Sequence, residues 1–242
     1  PTQYDWYRNL LPFNNFLKFR ASWGRVGNDR LKDENGNDIR FPYLTTLGNV
    51  SSTWGTGLAE NRTGSMNLKW EVSTKTNFGI DARFFDDKVD MTVDFFHTKT
   101  TDIFQRRANI PDEGGLSNVL PYANIGSMQS WGMDGTLAYT HTFNKDMALT
   151  VRGNFTHAEN EVIYWEQSGV NYPYQSNSGV PYKVQRGLIA LGLFKDEDDI
   201  KSSPKQTFMD NYRPGDIKYK DVNGDGKIDK DDVVPLNYSA VP

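Results

Sequence analysis

The residues with the most specific chemistry lie in the segment 221–232, near the end of the chain. Read as a twelve-residue calcium loop, it has oxygen-bearing side chains at positions 1, 3, 5, 9 and 12, glycine at position 6 and an apolar residue at position 8. A hard cation needs about six to eight oxygen ligands, and the chain must turn sharply at position 6 to supply them. The predicted ligands are the side chains of Asp221, Asn223, Asp225, Asp229 and Asp232 and the carbonyl oxygen of Lys227.

Two features separate this segment from a complete EF-hand. Position 12 is Asp232, where a sensor loop has a bidentate glutamate. Pro214 precedes the segment and Pro235 follows it, so flanking helices are not expected. The alternative interpretation is an acidic, solvated turn without an ion. Agreement at so many positions of the loop favours calcium as the cofactor.

The other reactive side chains do not predict an enzyme. Carboxylates cluster at Asp112-Glu113 and at 196–199, but the sequence does not give the separation that glycoside hydrolysis requires. The short helix predicted at 195–200 would carry the second cluster as solvated acids. His97, His141 and His157 share the parity of the apolar residues in their strands, and the chain has no cysteine nucleophile. We therefore predict no catalytic residue.

The composition of the chain argues against two further classes of protein, nucleic-acid-binding proteins and proteins with membrane-spanning helices. Net charge is −4 and no stretch is strongly basic, which argues against a nucleic-acid partner. Mean hydropathy is −0.67, and no apolar run approaches the length of a membrane-spanning helix. Aromatic residues make up 13% of the chain and there are 21 glycines, as in an aromatic-rich β-protein with many turns.

The strands that would position these residues are predicted from a strict alternation of residue types in residues 68–84. Even positions such as Trp70, Phe78 and Ile80 are apolar or carry hydroxyls, whereas odd positions such as Lys75 and Asp81 are polar, charged or glycine. After the turn at 85–88 the pattern resumes, which predicts a hairpin. At about 3.3 Å per residue the first strand spans about 55 Å, far longer than the usual globular strand.

Other strands of the same kind are predicted at 17–23, 131–143 and 147–156, with a short strand at 41–47 and no sustained alternation after about residue 161. The connections alternate between long loops, at 27–66, 101–118 and from 161, and tight turns, at 85–88 and 144–146. Bacterial outer-membrane barrels have this arrangement of short periplasmic turns and long extracellular loops. The predicted fold class is therefore all-β: antiparallel strands that form part of a large transmembrane β-barrel.

Such a chain is expected to be a piece of a longer protein. About five strands are predicted in residues 1–242, whereas about eight are the minimum for a barrel, and open sheet edges are not tolerated in lipid. The chain also starts at Pro1 without a signal sequence. Residues 161–242 are predicted to form one long extracellular loop that contains the calcium segment.

Several motifs along the chain resemble the SusC/RagA-type TonB-dependent transporters of the Bacteroidetes outer membrane. The resemblance covers about residues 16–242. It rests on Asn67-Leu68-Lys69-Trp70-Glu71, Asn77-Phe78-Gly79-Ile80-Asp81, Phe96-His97-Thr98-Lys99-Thr100-Thr101-Asp102, Asn124-Ile125-Gly126-Ser127-Met128 and Pro214-Gly215-Asp216-Ile217-Lys218-Tyr219-Lys220-Asp221. Asn237-Tyr238-Ser239-Ala240-Val241-Pro242 looks like the lead-in to a further strand.

The resemblance implies an outer-membrane importer of oligosaccharides or peptides that works with a SusD-like surface lipoprotein. Import would be powered by TonB, which contacts an N-terminal part that this chain lacks. Aromatic side chains suit both sugars and protein interfaces. The residues expected to contact substrate or partner are Trp54, Tyr164, Trp165, Tyr172 and Tyr174; in the alternative each packs its own loop.

An alternative interpretation of the whole chain is a soluble, calcium-stabilised β-module that binds glycans, such as an adhesin or a lectin-like domain. It shares the acidic loop and the aromatic residues. It does not explain the strand lengths or the alternation of short and long connections.

Overall fold

A computed structural model of the chain describes residues 4–10, 13–32, 36–53, 55–110 and 119–236. Neither of the helices in this described part has the length and apolar character that crossing a membrane would require. In chain order the elements are α1 (Asp5–Leu10), β1 (Asn14–Asn28), β2 (Thr46–Ser52), β3 (Gly55–Arg62), β4 (Glu71–Phe84), β5 (Val89–Arg106), β6 (Tyr122–Asn144), β7 (Met147–Tyr164), β8 (Arg186–Gly187), β9 (Ala190–Leu193), α2 (Glu197–Ser202), β10 (Lys205–Gln206), β11 (Ile217–Tyr219), β12 (Lys227–Ile228) and β13 (Val234–Pro235).

Five long strands form one antiparallel sheet in the order β1-β4-β5-β6-β7. The longest, β6, has 23 residues. The tight turn after β4 places Phe85, Asp86 and Asp87 at φ values between 56° and 60°. Within the described residues the sheet does not close on itself, because β1 and β7 are both edge strands. The all-β, antiparallel fold class predicted from the sequence is confirmed.

The register of the sheet separates the two predicted faces. One row across it consists of Phe19, Ile80, Val93, Gly135 and Phe155. The next apolar row brings together Ala21, Phe78, Phe95, Met133 and His157. Aromatic and aliphatic side chains on this face are exposed, including Phe19, Phe78, Phe95, Leu137, Val151 and Phe155. The face therefore lacks a covering layer in the described part of the chain.

The opposite face is polar and carries an ion-pair network. Arg20 donates from Nε and Nη2 to the two carboxylate oxygens of Asp81, at 2.9 and 3.0 Å, and from Nη2 to Asp94 at 2.9 Å. Gly79 lies under this crossing, where a Cβ atom would collide with the Asp94 carboxylate. The predicted parity thus puts the charges on the same side of three neighbouring strands.

Several predicted boundaries are wrong. Residues 68–70 precede β4, and the backbone N–H of Lys69 donates to Oδ1 of Asn124 instead of a strand neighbour. The strand predicted at 41–47 is replaced by the β2–β3 hairpin. Bulges continue β5 to Arg106 and β6 starts at Tyr122, so the second loop is shorter than predicted. β7 extends to Tyr164, so the last loop begins at 165.

The segment 165–236 forms a loop region with small paired strands and its own buried side chains. Its pairs are β8 with β13, β9 with β11, and β10 with β12. Val180, Phe194, Ile228 and Val234 are buried within it. The predicted short helix is present as α2, which Asp196 caps by accepting a hydrogen bond from the Asp199 N–H at 2.8 Å. This region carries most of the candidate site.

Candidate functional site

The first turn of the 221–232 segment is closed by Asp221. Its Oδ1 accepts a hydrogen bond from the Gly224 N–H at 2.6 Å, and its Oδ2 accepts one from the Gly226 N–H at 2.9 Å. Gly226, at the predicted sharp turn, has φ of 84°, in the left-handed region that glycine adopts without strain. The turn therefore has the backbone that position 6 of a calcium loop requires.

Asn223 and Asp225 continue the turn and direct oxygen atoms along the same stretch of backbone. Asn223 Oδ1 accepts from the Asp225 N–H at 3.0 Å, and Asp225 Oδ1 accepts from the Lys227 N–H at 2.8 Å. The Asn223 Nδ2 group lies 3.3 Å from Asp225 Oδ2 and 3.3 Å from the Tyr172 hydroxyl. These side chains thus hold the loop through bonds to its own backbone.

Asp232 closes the segment from within. Its side chain is fully buried, and its Oδ1 accepts from the Val222 N–H at 2.7 Å, whereas Oδ2 accepts from the Asp229 N–H at 2.9 Å. Asp229 in turn accepts from the Asp231 N–H at 2.8 Å. Asp232 therefore ties the start of the segment to its ninth position.

The segment is attached to the loop region through its apolar position. Ile228 is fully buried, and β12 pairs in parallel with β10. The Thr207 hydroxyl donates to the Ile228 carbonyl at 2.9 Å. The apolar residue predicted at position 8 thus anchors the loop on a neighbouring strand.

The donor set fits a hard cation by its chemistry, because every predicted ligand atom is an oxygen. The carboxylates bond to backbone N–H groups, and among the described residues no three acidic or histidine side chains converge as a metal-binding group. Each carboxylate oxygen has a second lone pair, so an N–H bond and an ion are compatible. Calcium remains a prediction at this site.

Two of the predicted aromatic residues lie against this segment. The rings of Tyr172 and Tyr174 stack with centroids 5.3 Å apart. The Tyr174 hydroxyl donates to the Asp231 carbonyl at 2.6 Å, and burial together with the charges of Tyr172, Asp232, Asp231 and Asp221 raises the pKa of Tyr174. These contacts show both rings packing within their own loop region. Tyr164 is exposed at the end of β7, and Trp54 lies outside the described residues.

Trp165, the remaining predicted aromatic residue, lies elsewhere. Its backbone N–H donates to Ser178 Oγ at 3.0 Å, and its ring centroid is 6.4 Å from that of Tyr182. Both rings line a cavity of about 800 Å³ where β5 ends and β6 begins. The structure therefore places Tyr172 and Tyr174 against the 221–232 segment and Trp165 at this cavity.

The same cavity contains polar residues that the sequence analysis missed. The buried Glu166 accepts from Arg107 Nε at 2.7 Å and from the Asn109 N–H at 3.0 Å, and Gln105 is buried nearby. The side chains of Gln105, Arg107 and Glu166 all lie beyond the ends of the strands predicted from the sequence. No periodic signal marks Gln105, because β5 is bulged between Thr100 and Phe104, and Glu166 lies after the end of β7.

The other reactive side chains have local structural partners. Asp199 lies 2.8 Å from Lys218 Nζ, and hydrogen bonds from Lys218 and from the Lys195 N–H lower the pKa of Asp199. His141 packs edge-on against Phe143, and His157 lies 3.3 Å from Glu159 on the apolar face. Asp112-Glu113 lies outside the described residues. The described residues thus show no convergence of these groups with one another.

Comparison with known proteins places this architecture. TonB-dependent receptor P39 of Formosa agariphila is 31% identical over 257 residues, covering 92% of this chain and 24% of its own. TonB-dependent receptor SusC of Bacteroides thetaiotaomicron is 25% identical, covering 89% of this chain and 21% of its own. The fold also matches the RagAB peptide importer in its open-open state, with a TM-score of 0.65 and 22% sequence identity. The match covers 95% of this chain and 23% of the RagAB chain.

This chain spans about a quarter of the length of the curated relatives it matches. The family described as TonB dependent receptor-like, beta-barrel matches residues 3–226, nearly the whole chain. The long antiparallel strands with one apolar and one charged face agree with that description. This chain belongs to the TonB-dependent receptor β-barrel family.

Proposed function

We propose that the chain forms part of the wall and several extracellular loops of an outer-membrane TonB-dependent transporter. The observation that supports this best is the two-faced sheet, with uncovered apolar rows on one side and the Arg20–Asp81–Asp94 network on the other. Lipid would cover the first face and a water-filled lumen would contact the second. The family membership supports the same location in the outer membrane.

The height of the apolar band fits a bilayer. Its rows extend from Phe84 and Tyr139 at one end to Trp23 and Trp131 at the other. Along β4 this is about 27 Å at about 3.4 Å per residue, or about 20 Å of height at a tilt near 40°, close to the outer-membrane band of about 25 Å. Beyond it the same face becomes polar, with Gln129 donating to Glu161 at 2.8 Å.

The aromatic residues at the two limits support this placement. Trp23 and Trp131 mark one limit, and Phe84 and Tyr139 mark the other, as in the two girdles of outer-membrane barrels. The tight turns at 85–88 and 144–146 would face the periplasm. The β2–β3 hairpin and the loop region would face the outside, and strands outside this chain would pair with the edges of β1 and β7.

The proposed activity of the whole transporter is import of oligosaccharides or peptides. SusC among the relatives and the RagAB peptide importer among the structural neighbours support a paired surface lipoprotein of the SusD kind. TonB would act through a part of the transporter outside this chain. A soluble glycan-binding module is disfavoured, since Phe19, Leu137 and Phe155 would then be left in water.

Fractionation of the full-length parent protein tests the location. We expect it to stay in the outer-membrane pellet through an alkaline wash and to require detergent for release. Single cysteines at Phe78 and Phe95 should be shielded from aqueous probes in membranes, whereas cysteines at Asn77 and Asp94 should react. Release in the alkaline wash, or equal labelling of both sets, would favour the soluble module.

Calcium at 221–232 is the second part of the proposal. Asp221, Asn223, Asp225, Asp229 and Asp232, with the Lys227 carbonyl, would hold the ion, and its charge would offset the repulsion among the acids. The role would be structural, because Tyr172 and Tyr174 join this segment to the rest of the loop region. No catalytic role is proposed for it.

Calcium titration of the purified full-length protein tests this site. We expect saturable binding that the Asp221→Ala and Asp225→Ala double variant abolishes. The control is Asp198→Ala with Asp210→Ala, which removes two exposed acids of the same loop region outside the segment. Terbium emission sensitised by Tyr172, which lies next to Asn223, gives an independent signal. Equal binding by wild type and the double variant would refute the assignment.

A further inference from the structure

The apolar face of the sheet carries two positively charged side chains just outside the row that contains Trp23 and Trp131. Arg25 lies opposite Thr74 in the pairing of β1 with β4, and Thr74 lies opposite Lys99 in the pairing of β4 with β5. These three residues therefore form one row across neighbouring strands, on the side of the sheet nearer the β2–β3 hairpin. We call Arg25, Thr74 and Lys99 the outer basic row.

The charge of the outer basic row is not balanced within the described part of the chain. Both of its cations are exposed, and neither lies within ion-pair distance of a described carboxylate. The acidic side chains of this face at a similar height are on β7 and have their own partners. Gln129 donates to Glu161 at 2.8 Å, and Glu159 lies 3.3 Å from His157. The row therefore has two cations to offer to an external anion.

The position of the outer basic row corresponds to the level of lipid headgroups. The row lies two residues beyond the tryptophan row, which is about 7 Å along the strands and about 5 Å in height at a tilt of about 40°. The headgroup region adds about 5–7 Å to each side of the hydrocarbon core. The cations would therefore lie beside the headgroups, while their aliphatic stems cover apolar surface below.

Tryptophan rings flank the arginine of this row on both sides along β1. Trp23 precedes Arg25 by two residues on the same face, and Gly27 follows it by two. A Cβ atom added at Gly27 would lie 2.7 Å from Cε3 of Trp70, so the indole ring of Trp70 rests on this glycine. An indole ring has an apolar body and an N–H donor, which suits the boundary between acyl chains and headgroups. Arg25 therefore lies between two rings of an interfacial kind.

The spacing within the row suits a single phosphate group. Neighbouring strands are about 4.8 Å apart, so the backbones that carry Arg25 and Lys99 are about 10 Å apart. Both long side chains can reach an anion that lies over Thr74, and the Thr74 hydroxyl can donate a hydrogen bond to it. A zwitterionic headgroup fits less well, because its own ammonium group would be repelled by the two cations.

We infer that the outer basic row binds the phosphate-bearing headgroup of an outer-leaflet lipid, an inference that rests on the proposed location in the outer membrane. Arg25 and Lys99 contact the phosphate oxygens from two strands, and Thr74 donates between them. The acyl chains of the same lipid lie along the apolar rows below. A free phosphate ion would meet the same charges without the apolar contact, and it is the competing occupant in the test.

Native mass spectrometry of the purified full-length transporter in neutral detergent tests this inference. The probes are lipid A that carries phosphate, the same lipid A after enzymatic removal of its phosphates, and inorganic phosphate. We expect phosphorylated lipid A to bind more tightly than the dephosphorylated form by roughly tenfold or more. Equal affinity for the two lipids, or displacement of the phosphorylated lipid by inorganic phosphate at the same concentration, would overturn the inference.

Removal of the two charges locates the bound lipid on the sheet. The Arg25→Gln and Lys99→Gln double variant should bind one phosphorylated lipid A molecule fewer than the wild type. The matched control is Lys75→Gln with Arg152→Gln, which removes one lysine and one arginine from exposed positions of the polar face. This control should keep the full number of bound lipids. An unchanged number in the Arg25 and Lys99 variant, or an equal loss in the control, would overturn the inference.

Exchange of the two cations separates charge from packing. Arg25→Lys with Lys99→Arg keeps both positive charges in the same row, so the lipid should remain bound. Loss of the lipid from this variant would overturn the assignment of the row as a charge-based site.

The proposed location and the lipid site fail in different ways. Release of the parent protein from membranes by alkaline washing would refute the location in the outer membrane. A parent protein that requires detergent for release, but whose Arg25 and Lys99 double variant keeps every phosphorylated lipid, would refute only this site.

Discussion

The five-stranded sheet and the loop region at 165–236 are stabilised in opposite ways. In the sheet, large apolar side chains such as Phe19, Leu137 and Phe155 are exposed, and backbone pairing between long strands provides the order. In the loop region the paired strands are only two to four residues long, but Phe194, Ile228 and Asp232 are buried. The stability of the sheet therefore depends on what surrounds its apolar face, whereas that of the loop region depends on its own small core.

This difference follows from the solvent of each part. A sheet in lipid gains its stability when apolar side chains face outward and every interior backbone group is paired. A loop in water needs buried side chains, and where it has few of them it needs side-chain bonds to the backbone. Asp221, Asn223 and Asp232 supply such bonds here. Substitutions should therefore have separate effects in the two parts.

The largest expected effect comes from placing a charge on the apolar face. Phe155 lies in the central apolar row, so Phe155→Arg should cost about 2–4 kcal/mol of folding free energy in a bilayer. Asn154→Arg, one residue away on the polar face, is the control and should cost little. Urea unfolding of the full-length protein in phospholipid vesicles measures both. Equal losses would mean that the two faces have the same surroundings.

A smaller effect, confined to the loop region, is expected from Asp232→Ala. The change leaves the part-buried N–H groups of Val222 and Asp229 without their acceptor and should cost about 1 kcal/mol of local stability. Hydrogen exchange followed by mass spectrometry, in chelator, should show faster exchange at 221–232 and unchanged exchange in β4 and β5. Asp210→Ala, at an exposed residue of the loop region outside the segment, is the control. Faster exchange throughout the sheet would show that the two parts unfold together.

The sequence predicted the sheet better than the loop region for a physical reason. Alternation at period two indicates which side chains share a face of the sheet, so Phe78 is assigned to the apolar face without knowledge of the fold. Alternation ends where β5 is bulged, so the strand end at Arg106 was missed. The β2–β3 hairpin, with Gly48, Ser51 and Gly57 along it, carries little such signal.

The sequence likewise predicts one part of the candidate site better than the other. The 221–232 segment was found because its spacing is local, and the turn at Gly226 and the buried Ile228 agree with it. The cavity was missed because Gln105, Glu166 and Tyr182 come together only through the tertiary fold. The Arg20 network was missed for a similar reason, since it depends on the register of three strands.

Removing that network should have a moderate effect on the sheet. Arg20→Gln should lower the stability of the sheet by less than Asp232→Ala lowers that of the loop region, because the ion pairs are partly exposed and screened by water. The control is Arg83→Gln, since Arg83 is 3.6 Å from Asp90 and both are more exposed. Urea unfolding in vesicles at low and high salt measures both. A loss for Arg20→Gln that is insensitive to salt would argue for a packing role of its side chain.

The smallest expected effect is a pH response at α2 in the loop region. Because Lys218 and the Lys195 N–H lower the pKa of Asp199, folding favours its carboxylate form. The stabilisation is therefore present above about pH 4, near the unfolded pKa, and is lost as pH falls through the lower folded value. Exchange at residues 195–203, normalised to intrinsic rates, should rise below pH 4 in wild type. Asp199→Asn should exchange faster at pH 7 and show less change with pH. An unchanged pH profile in this variant would assign the response to another acid, with Asp216, which accepts from the Arg213 N–H at 2.7 Å, as the next to substitute.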